Sequence, residues 1–387
     1  MIDRPLPQAV LTLVMHIAID AHSVGAQLAG NETYAANLIE ALAGIDQTNE
    51  YTLFVTKRAA VDRFDNRWPN FKIKQTFPHT PLVRIPLTLS AALRRRRVDV
   101  LHVQYTAPPF VPCPVVATIH DLSFEHLPET FNRRSRAQLQ LTVRHTARRA
   151  KQILTLSESS RDDIIKTYHI DPARVWVTPA AAPPGFAPVT DSTELQRIRS
   201  TYGIEREYIL SLGSIQPRKN LIRLIGAYSS LRRLRPDLNL PQLVLAGKRG
   251  WLEKEIFRAA GENELSRDIL FTGYVAEKDL PGLYSGSLCF AYPSYFEGFG
   301  LPVVEAMQCG APVIAGNRTS LPEVVGSAGI LVDPFSETEI AQALAKMIDD
   351  PGYRNELRVK GIERARVFNW QTTARLTLRA YERANRG

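Results

Sequence analysis

The stretch Pro293-Ser-Tyr-Phe-Glu-Gly-Phe-Gly-Leu-Pro-Val-Val-Glu-Ala-Met307 decides how the rest of the chain is read. The apolar run Leu288 to Tyr292 before it reads as a buried strand. Pro302 to Cys309 reads as a short helix with its proline in the first turn, stopped by Gly310, and Ala311 to Ala315 resumes as a strand. A strand, a glycine turn and a helix in that order leave unpaired backbone N–H groups at the helix start, which suit an anion. No Walker lysine lies inside the turn. Two glutamates, Glu297 and Glu305, bracket it, and a plain connection between strand and helix has no need of them.

The same unit recurs outward from this stretch. Tyr208 to Leu212 reads as a strand, and the loop after it, Gly213 to Asn220, ends in Pro-Arg218-Lys219-Asn. In the first half, Val10 to Ile19 is an apolar run ending in Asp20, followed by a loop with Gly25 and Gly30. Asn31 is the expected N-cap of a helix from Glu32 to Ala43. Val115 to Ile119 is a five-residue strand that ends directly in His120-Asp121. Strands alternating with helices predict an α/β protein with mostly parallel, doubly wound sheets, and such sheets bind ligands at the carboxyl ends of their strands. Thr178 to Thr190 holds four prolines and a glycine and reads as a linker. The expected organisation is a Rossmann-like domain over residues 1–182, a second over 183–370, and a cleft between their carboxyl edges.

With 387 residues, two cores of ordinary size are possible. The net charge of +9 is concentrated at Arg84 and Arg94 to Arg97, and again at Arg133, Arg134, Arg136, Arg144, Arg148, Arg149 and Lys151. Such runs form a solvated helix face or attract an anionic surface. Aromatic residues do not alternate with them as in a single-strand groove, so nucleic acid is not an expected partner. Cys113, Cys289 and Cys309 are isolated in apolar runs and imply a reducing compartment. The apolar run from Ala9 to Met15 is too short to cross a bilayer. The expectation is a cytoplasmic protein. Asp162-Asp163 and Asp349-Asp350 read as solvated pairs rather than metal ligands, and Trp251 and Trp370 as packing residues.

Collected, these residues suggest a particular ligand. Two cations and a helix N-terminus suit a diphosphate, and carboxylates suit sugar and ribose hydroxyls. The sequence here resembles the retaining glycosyltransferases of family 4, which have the GT-B fold of two Rossmann-like domains. Glu297 and Glu305, with seven residues between them, match that family's paired-glutamate signature, and the match continues through Gly326 to Pro334. His120-Asp121 matches its N-terminal histidine and the PRKN tetrad its basic loop.

The resemblance implies roles. Arg218 and Lys219, beside Gly213, would hold the donor diphosphate. Glu305 would accept from the ribose, and Glu297 from the donor sugar. Gly298, Phe299, Gly300 and Leu301 would line sugar and phosphates, and His120 would lie near the reacting carbon. Tyr274 and Val275 would meet the base, and Gly25, Gly30 and Asn31 would belong to the donor site. The terminal helix, about 371–387, would cross back onto the first domain. No cofactor or metal is implied, because the nucleotide-sugar is a substrate. The PRKN loop resembles the mannosyltransferase branch, so GDP-mannose is the first donor implied and a UDP-sugar such as UDP-glucose the second. The acceptor implied is a glycan or lipid-linked hydroxyl, and the basic first half suits peripheral contact with the inner face of an anionic membrane. The alternatives are a GT-B epimerase acting on a UDP-sugar and a non-catalytic binding protein.

Overall fold

The computed structural model describes residues 14–26, 30–95, 97–235, 240–250, 252–261 and 268–386. The start of the first expected strand (10–13), Arg96 and Trp251 lie outside these residues. Seven strands form the first sheet: β1 (His16–Asp20), β2 (Glu50–Val55), β3 (Phe71–Gln75), β4 (Val100–Gln104), β5 (Val115–Thr118), β6 (Gln152–Thr155) and β7 (Val175–Val177). Six form the second: β8 (Tyr208–Leu212), β9 (Gln242–Ala246), β10 (Ile269–Gly273), β11 (Cys289–Tyr292), β12 (Val313–Gly316) and β13 (Gly329–Val332). Every pairing is parallel. Helices cover both faces of such a sheet, so its strands are apolar along their length; β11, Cys-Phe-Ala-Tyr, is buried at all four positions.

The strand orders, β3-β2-β1-β4-β5-β6-β7 and β10-β9-β8-β11-β12-β13, both reverse direction beside their first strand. Connections leaving β1 and β4, or β8 and β11, therefore diverge to opposite faces and open a crevice at the carboxyl edge. The loop carrying Arg218 and Lys219 follows β8, and the Pro293–Gly300 turn follows β11. The topology sets these two loops side by side. These are two Rossmann-like domains in the GT-B arrangement.

The helix Trp370–Arg386 returns to the first domain and packs on the helix Gly30–Ile45. Tyr381 Oη lies 2.6 Å from His102 Nδ1 in β4. The proline-rich segment is strapped rather than loose. Trp370 Nε1 donates to the Ala182 carbonyl at 3.1 Å, and Thr373 donates to that of Pro179. Trp370 thus packs as expected and also fixes the segment that joins the sheets.

Several local expectations differ from the structure. Arg84 is not part of a solvated run. It is 1% exposed, with Nη1 at 2.7 and 2.8 Å from the two carboxylate oxygens of Asp20 at the end of β1. Burial alone would raise the Asp20 carboxyl, but His22 and Arg84 beside it hold it well below the usual carboxylate range. The chain from Pro81 to Arg94 is helical, and its middle, Arg84–Leu89, winds as a π-helix around Pro86. A wider turn there suits a residue with no N–H to donate. Asn31 is not an N-cap, since the helix begins at Gly30 and Asn31 lies within its first turn. The acidic pairs are not simply solvated: Asp163 lies 2.7 Å from His126, Asp349 pairs with Arg235, and Asp350 caps the helix Pro351–Ala365.

Candidate active site

Three charged side chains meet where the switch-point loops of the second domain touch. Glu297 Oε2 accepts from Arg218 Nη1 at 3.0 Å, and its Oε1 accepts from Lys219 Nζ at 2.8 Å and Ser294 Oγ at 2.6 Å. Lys219 also contacts the Tyr292 hydroxyl and lies over that ring, 4.7 Å from its centroid. Asn220 explains why the basic loop ends as it does. It takes the left-handed conformation, φ +60°, and its amide nitrogen donates to the carbonyls of Pro293 and Pro334 at 2.8 and 2.6 Å. That clamp ties the Pro-Arg-Lys turn to the glutamate's own turn. Ser294 Oγ and the Tyr295 N–H both donate to the Arg218 carbonyl, which joins the loops a second time.

Electrostatics follow from burial and pairing. Burial alone would raise Glu297, but Arg218 and Lys219 bring it down to about 2. Burial pushes the Lys219 ammonium down to about 8 against the attraction of Glu297, so it is charged at neutral pH and closer to deprotonation than a surface lysine. The trio carries one net positive charge, held near solvent-poor walls where an incoming anion is attracted strongly.

The turn after Glu297 is built for close approach. Gly300 has φ +94° and caps the helix Leu301–Gln308, and a Cβ on it would come within 2.6 Å of the Leu321 side chain. Pro302 lies in the first turn, as the sequence suggests. The Phe299 side chain differs from expectation. It is buried edge-on against Phe368, with ring centroids 5.3 Å apart, so only its backbone faces the turn. Leu301 is half-buried and opens the helix.

Glu305 projects from that helix and is 6% exposed, accepting from the Tyr284 hydroxyl at 2.9 Å. Burial pushes it up to about 7, partly opposed by this hydrogen bond. A carboxyl raised in the folded state binds its proton more tightly there than in the unfolded chain. The stability it contributes is full below about pH 4.5 and is lost as pH rises to about 7. Glu305→Gln is therefore expected to be more stable than the parent at pH 8, by at most roughly 3 kcal/mol, and to melt at a higher temperature. At pH 5 the two should melt nearly alike, and calorimetry at the two pH values checks the sign.

The first domain contributes His120. Its Nε2 lies 3.0 Å from Gln104 Oε1, and Gln104 Nε2 donates to Ser23 Oγ at 3.1 Å. Because a carbonyl oxygen only accepts, this bond puts the ring proton on Nε2. Tyr34 and Tyr105 pack around the ring, at 4.8 and 5.4 Å between centroids. Burial pushes His120 down to about 4, with Asp121 opposing, so the ring is neutral at pH 7. Gln104 escaped the sequence reading because nothing local marks it; only the pairing of β4 with β5 brings it to His120.

The remaining residues named from sequence are spread along the strand ends. Gly213 directly follows β8, with the Lys219 side chain 3.5 Å from where its Cβ would stand. Tyr274 is largely exposed with Lys248 over its ring, and Val275 beside it is buried. Gly25 packs against Ala60, and its N–H donates to Glu32 at 2.8 Å. Gly30 and Asn31 start the first helix, where the Asn31 carbonyl accepts from Ser23 Oγ at 3.3 Å. A cavity of about 300 Å³ lined by Cys113, His145, Arg149 and Lys151 lies at the opposite edge of the first sheet, where β5 and β6 begin.

A family model described as glycosyltransferase family 4 matches residues 28–183, and one described as glycosyl transferases group 1 matches residues 194–367. The O-antigen chain mannosyltransferase B of Escherichia coli is 33% identical over 267 residues, covering 69% of this chain and 70% of that protein. The serotype-specific mannosyltransferase WbdA of Escherichia coli is 36% identical over 241 residues, 61% of this chain, and the match spans only 29% of WbdA. In fold, sucrose-phosphate synthase from Thermosynechococcus elongatus superposes with a TM-score of 0.76 at 20% identity, over 95% of this chain and 98% of that one. The paired glutamates, the basic loop and both matched halves agree, and the chain belongs to glycosyltransferase family 4.

Proposed function

We propose that this glycosyltransferase moves mannose from GDP-mannose to a hydroxyl of a glycan or lipid-linked acceptor, with retention at the anomeric carbon. The observation that carries the reading is the largely buried Arg218–Glu297–Lys219 cluster at the switch point. Cations withdrawn from water need a counter-charge. Glu297 supplies it here, and a diphosphate would supply it once the donor binds. Transfer of the two cations to the diphosphate frees Glu297 to accept from the hydroxyls of the donor sugar. Arg218, Lys219 and the N–H groups from Gly298 to Leu301 then meet the charge that develops on the departing nucleotide. In this account those cations do the work that a divalent ion does in other transferases. Glu305 accepts from the ribose, Tyr274 and Val275 border the base, and neutral His120 faces the reacting carbon. Mannose is the sugar of choice because both Escherichia coli relatives are mannosyltransferases by name.

A thermal-shift series with GDP, UDP and ADP tests the donor. At 100 times its dissociation constant, a ligand of the folded state stabilises by about 2.7 kcal/mol. GDP should give the largest rise in melting temperature, and mass analysis with GDP-mannose and acceptor should show a mannosylated product. A shift with UDP alone would move the donor to a UDP-sugar, and release of free UDP without acceptor would favour an epimerase.

The acceptor side carries a surface suited to lipid. Phe77, Leu82, Val83 and Leu87 are 65%, 60%, 40% and 64% exposed, and Arg94, Arg95 and Arg97 follow them, also exposed. Among the described residues no helix is long and apolar enough to cross a membrane. An apolar face ending in arginines instead fits the interface of an anionic bilayer. Co-sedimentation at low salt should favour anionic over neutral vesicles, and Leu82→Asp with Leu87→Asp should weaken binding severalfold. Equal binding to neutral vesicles would remove the membrane from this account.

A further inference from the structure

Outside the donor site, the two domains meet at a second contact. The helix Glu158–Tyr168 follows β6 in the first domain, and Ser157 is its N-cap, accepting from the Ser160 N–H at 3.1 Å. Its next free N–H groups, of Glu158 and Ser159, donate to the carboxylate of Glu323 at 3.0 and 3.3 Å. Glu323 belongs to the second domain, in the helix Leu321–Val325, where Arg364 holds the backbone by donating to the Glu323 and Val324 carbonyls. A carboxylate from one domain therefore completes a helix N-terminus in the other, where the helix dipole favours negative charge.

The second half of the contact reaches the reacting groups. Ser157 Oγ donates to the Gly298 carbonyl at 2.7 Å, and Ser160 Oγ is shared between the carbonyls of Gly298 and His120 at 3.1 and 3.3 Å. Both serines are buried. A Cβ on Gly298 would overlap the His120 carbonyl oxygen, so this glycine permits the two backbones to touch. His120 is itself part of that contact, and Glu297 is one peptide bond from it.

We propose that Glu323, Ser157 and Ser160 are positioning residues: they latch the domains together so that His120 stands at a fixed place opposite the Arg218–Glu297–Lys219 trio. The role of that closed arrangement in transfer rests on the function proposed above, while the latch itself does not. Bringing the domains together joins a full charge to two backbone donors and two hydroxyls to one carbonyl, and opening returns all of them to water. The latch thus biases the domains toward the closed arrangement independently of the nucleotide.

The test uses the full chain with dyes at Asp162→Cys and Glu255→Cys, both exposed positions, in a Cys113→Ser background. Single-molecule energy transfer reads the closed-to-open ratio without any turnover. Glu323→Ala should move that ratio toward open by roughly 5- to 30-fold, the range for a charge at a partly buried helix end. Its kcat should fall by a similar factor while its dissociation constant for GDP stays within about twofold, by the separation of binding from transition-state terms. Glu323→Gln, which keeps a neutral acceptor, should fall between, and Ser160→Ala should shift the ratio the same way should the alanine variant at 323 not fold. If wild-type protein transferred no sugar from any donor yet the ratio shifted, the function proposed above would fail and the latch would stand. A ratio unchanged in both Glu323→Ala and Ser160→Ala would overturn the latch.

Discussion

Lys219→Ala is expected to lower kcat by about 10² to 10³-fold, corresponding to about 2.7–4 kcal/mol of lost transition-state stabilisation. The ammonium is largely buried, aimed by Tyr292 and Glu297, and costs nothing to reorganise when charge appears on the leaving diphosphate. The KM for the donor should rise less than kcat falls, because the phosphate is already charged in the ground state and gains more charge as the bond breaks. Folding should survive, since Glu297 keeps Arg218 and Ser294 as partners. Lys219→Arg should not restore full activity, because a planar fork replaces a point charge in a space set by Tyr292. Steady-state kinetics on the three proteins measures the effect. An alanine variant within about threefold of the parent in kcat would remove Lys219 from the chemistry.

Glu297→Ala is the second large effect and has the opposite balance between stability and activity. Removing the carboxylate leaves Arg218 and Lys219 largely buried side by side with Asp121 as the remaining carboxylate acting on them. Breaking a buried pair in this way costs about 3–5 kcal/mol. Lys219 can escape part of that cost by losing its proton, since burial already holds it near 8 and the group that opposed the shift is gone. The destabilisation should therefore be smaller at pH 9 than at pH 7. It should also be largely reversed by GDP, whose diphosphate returns the missing charge. Melting curves with and without GDP at both pH values check this. Activity should remain low with GDP-mannose, because the acceptor for the sugar's hydroxyls is gone. A variant as stable as the parent without ligand would mean that Glu297 is not the counter-charge of the empty site.

Much of this site was legible in the sequence because its parts are local. The strand–turn–helix around Glu297, the tetrad Pro-Arg-Lys-Asn and the histidine at a strand end each fit within about ten residues, and parallel-sheet topology brings such loops to one edge. What was not legible depends on pairs far apart in the chain. Arg84 looked like one of several arginines on a solvated face, and its partner Asp20 stands 64 positions away. Gln104 orients His120 only because β4 and β5 are neighbours. Ser157 and Glu323 lie 166 positions apart, and only placing the two domains against each other brings them to one contact. Phe299 was misjudged for a related reason. A residue between two glycines follows the turn with its backbone, but its side chain is free to leave the site, and the nearby apolar partner Phe368 takes it. Asn31 is not the cap because Gly30 already belongs to the helix.

The exchange of Glu297 for a nucleotide-sugar diphosphate at Arg218 and Lys219 is tested most directly by a crystal structure with an unhydrolysed donor bound. Phosphate oxygens should lie within hydrogen-bond distance, roughly 2.7–3.2 Å, of Lys219 Nζ and the Arg218 guanidinium. The Glu297 carboxylate should be turned from Lys219 onto hydroxyls of the sugar. A donor whose diphosphate lies elsewhere, with Glu297 still bridging both cations, would contradict it.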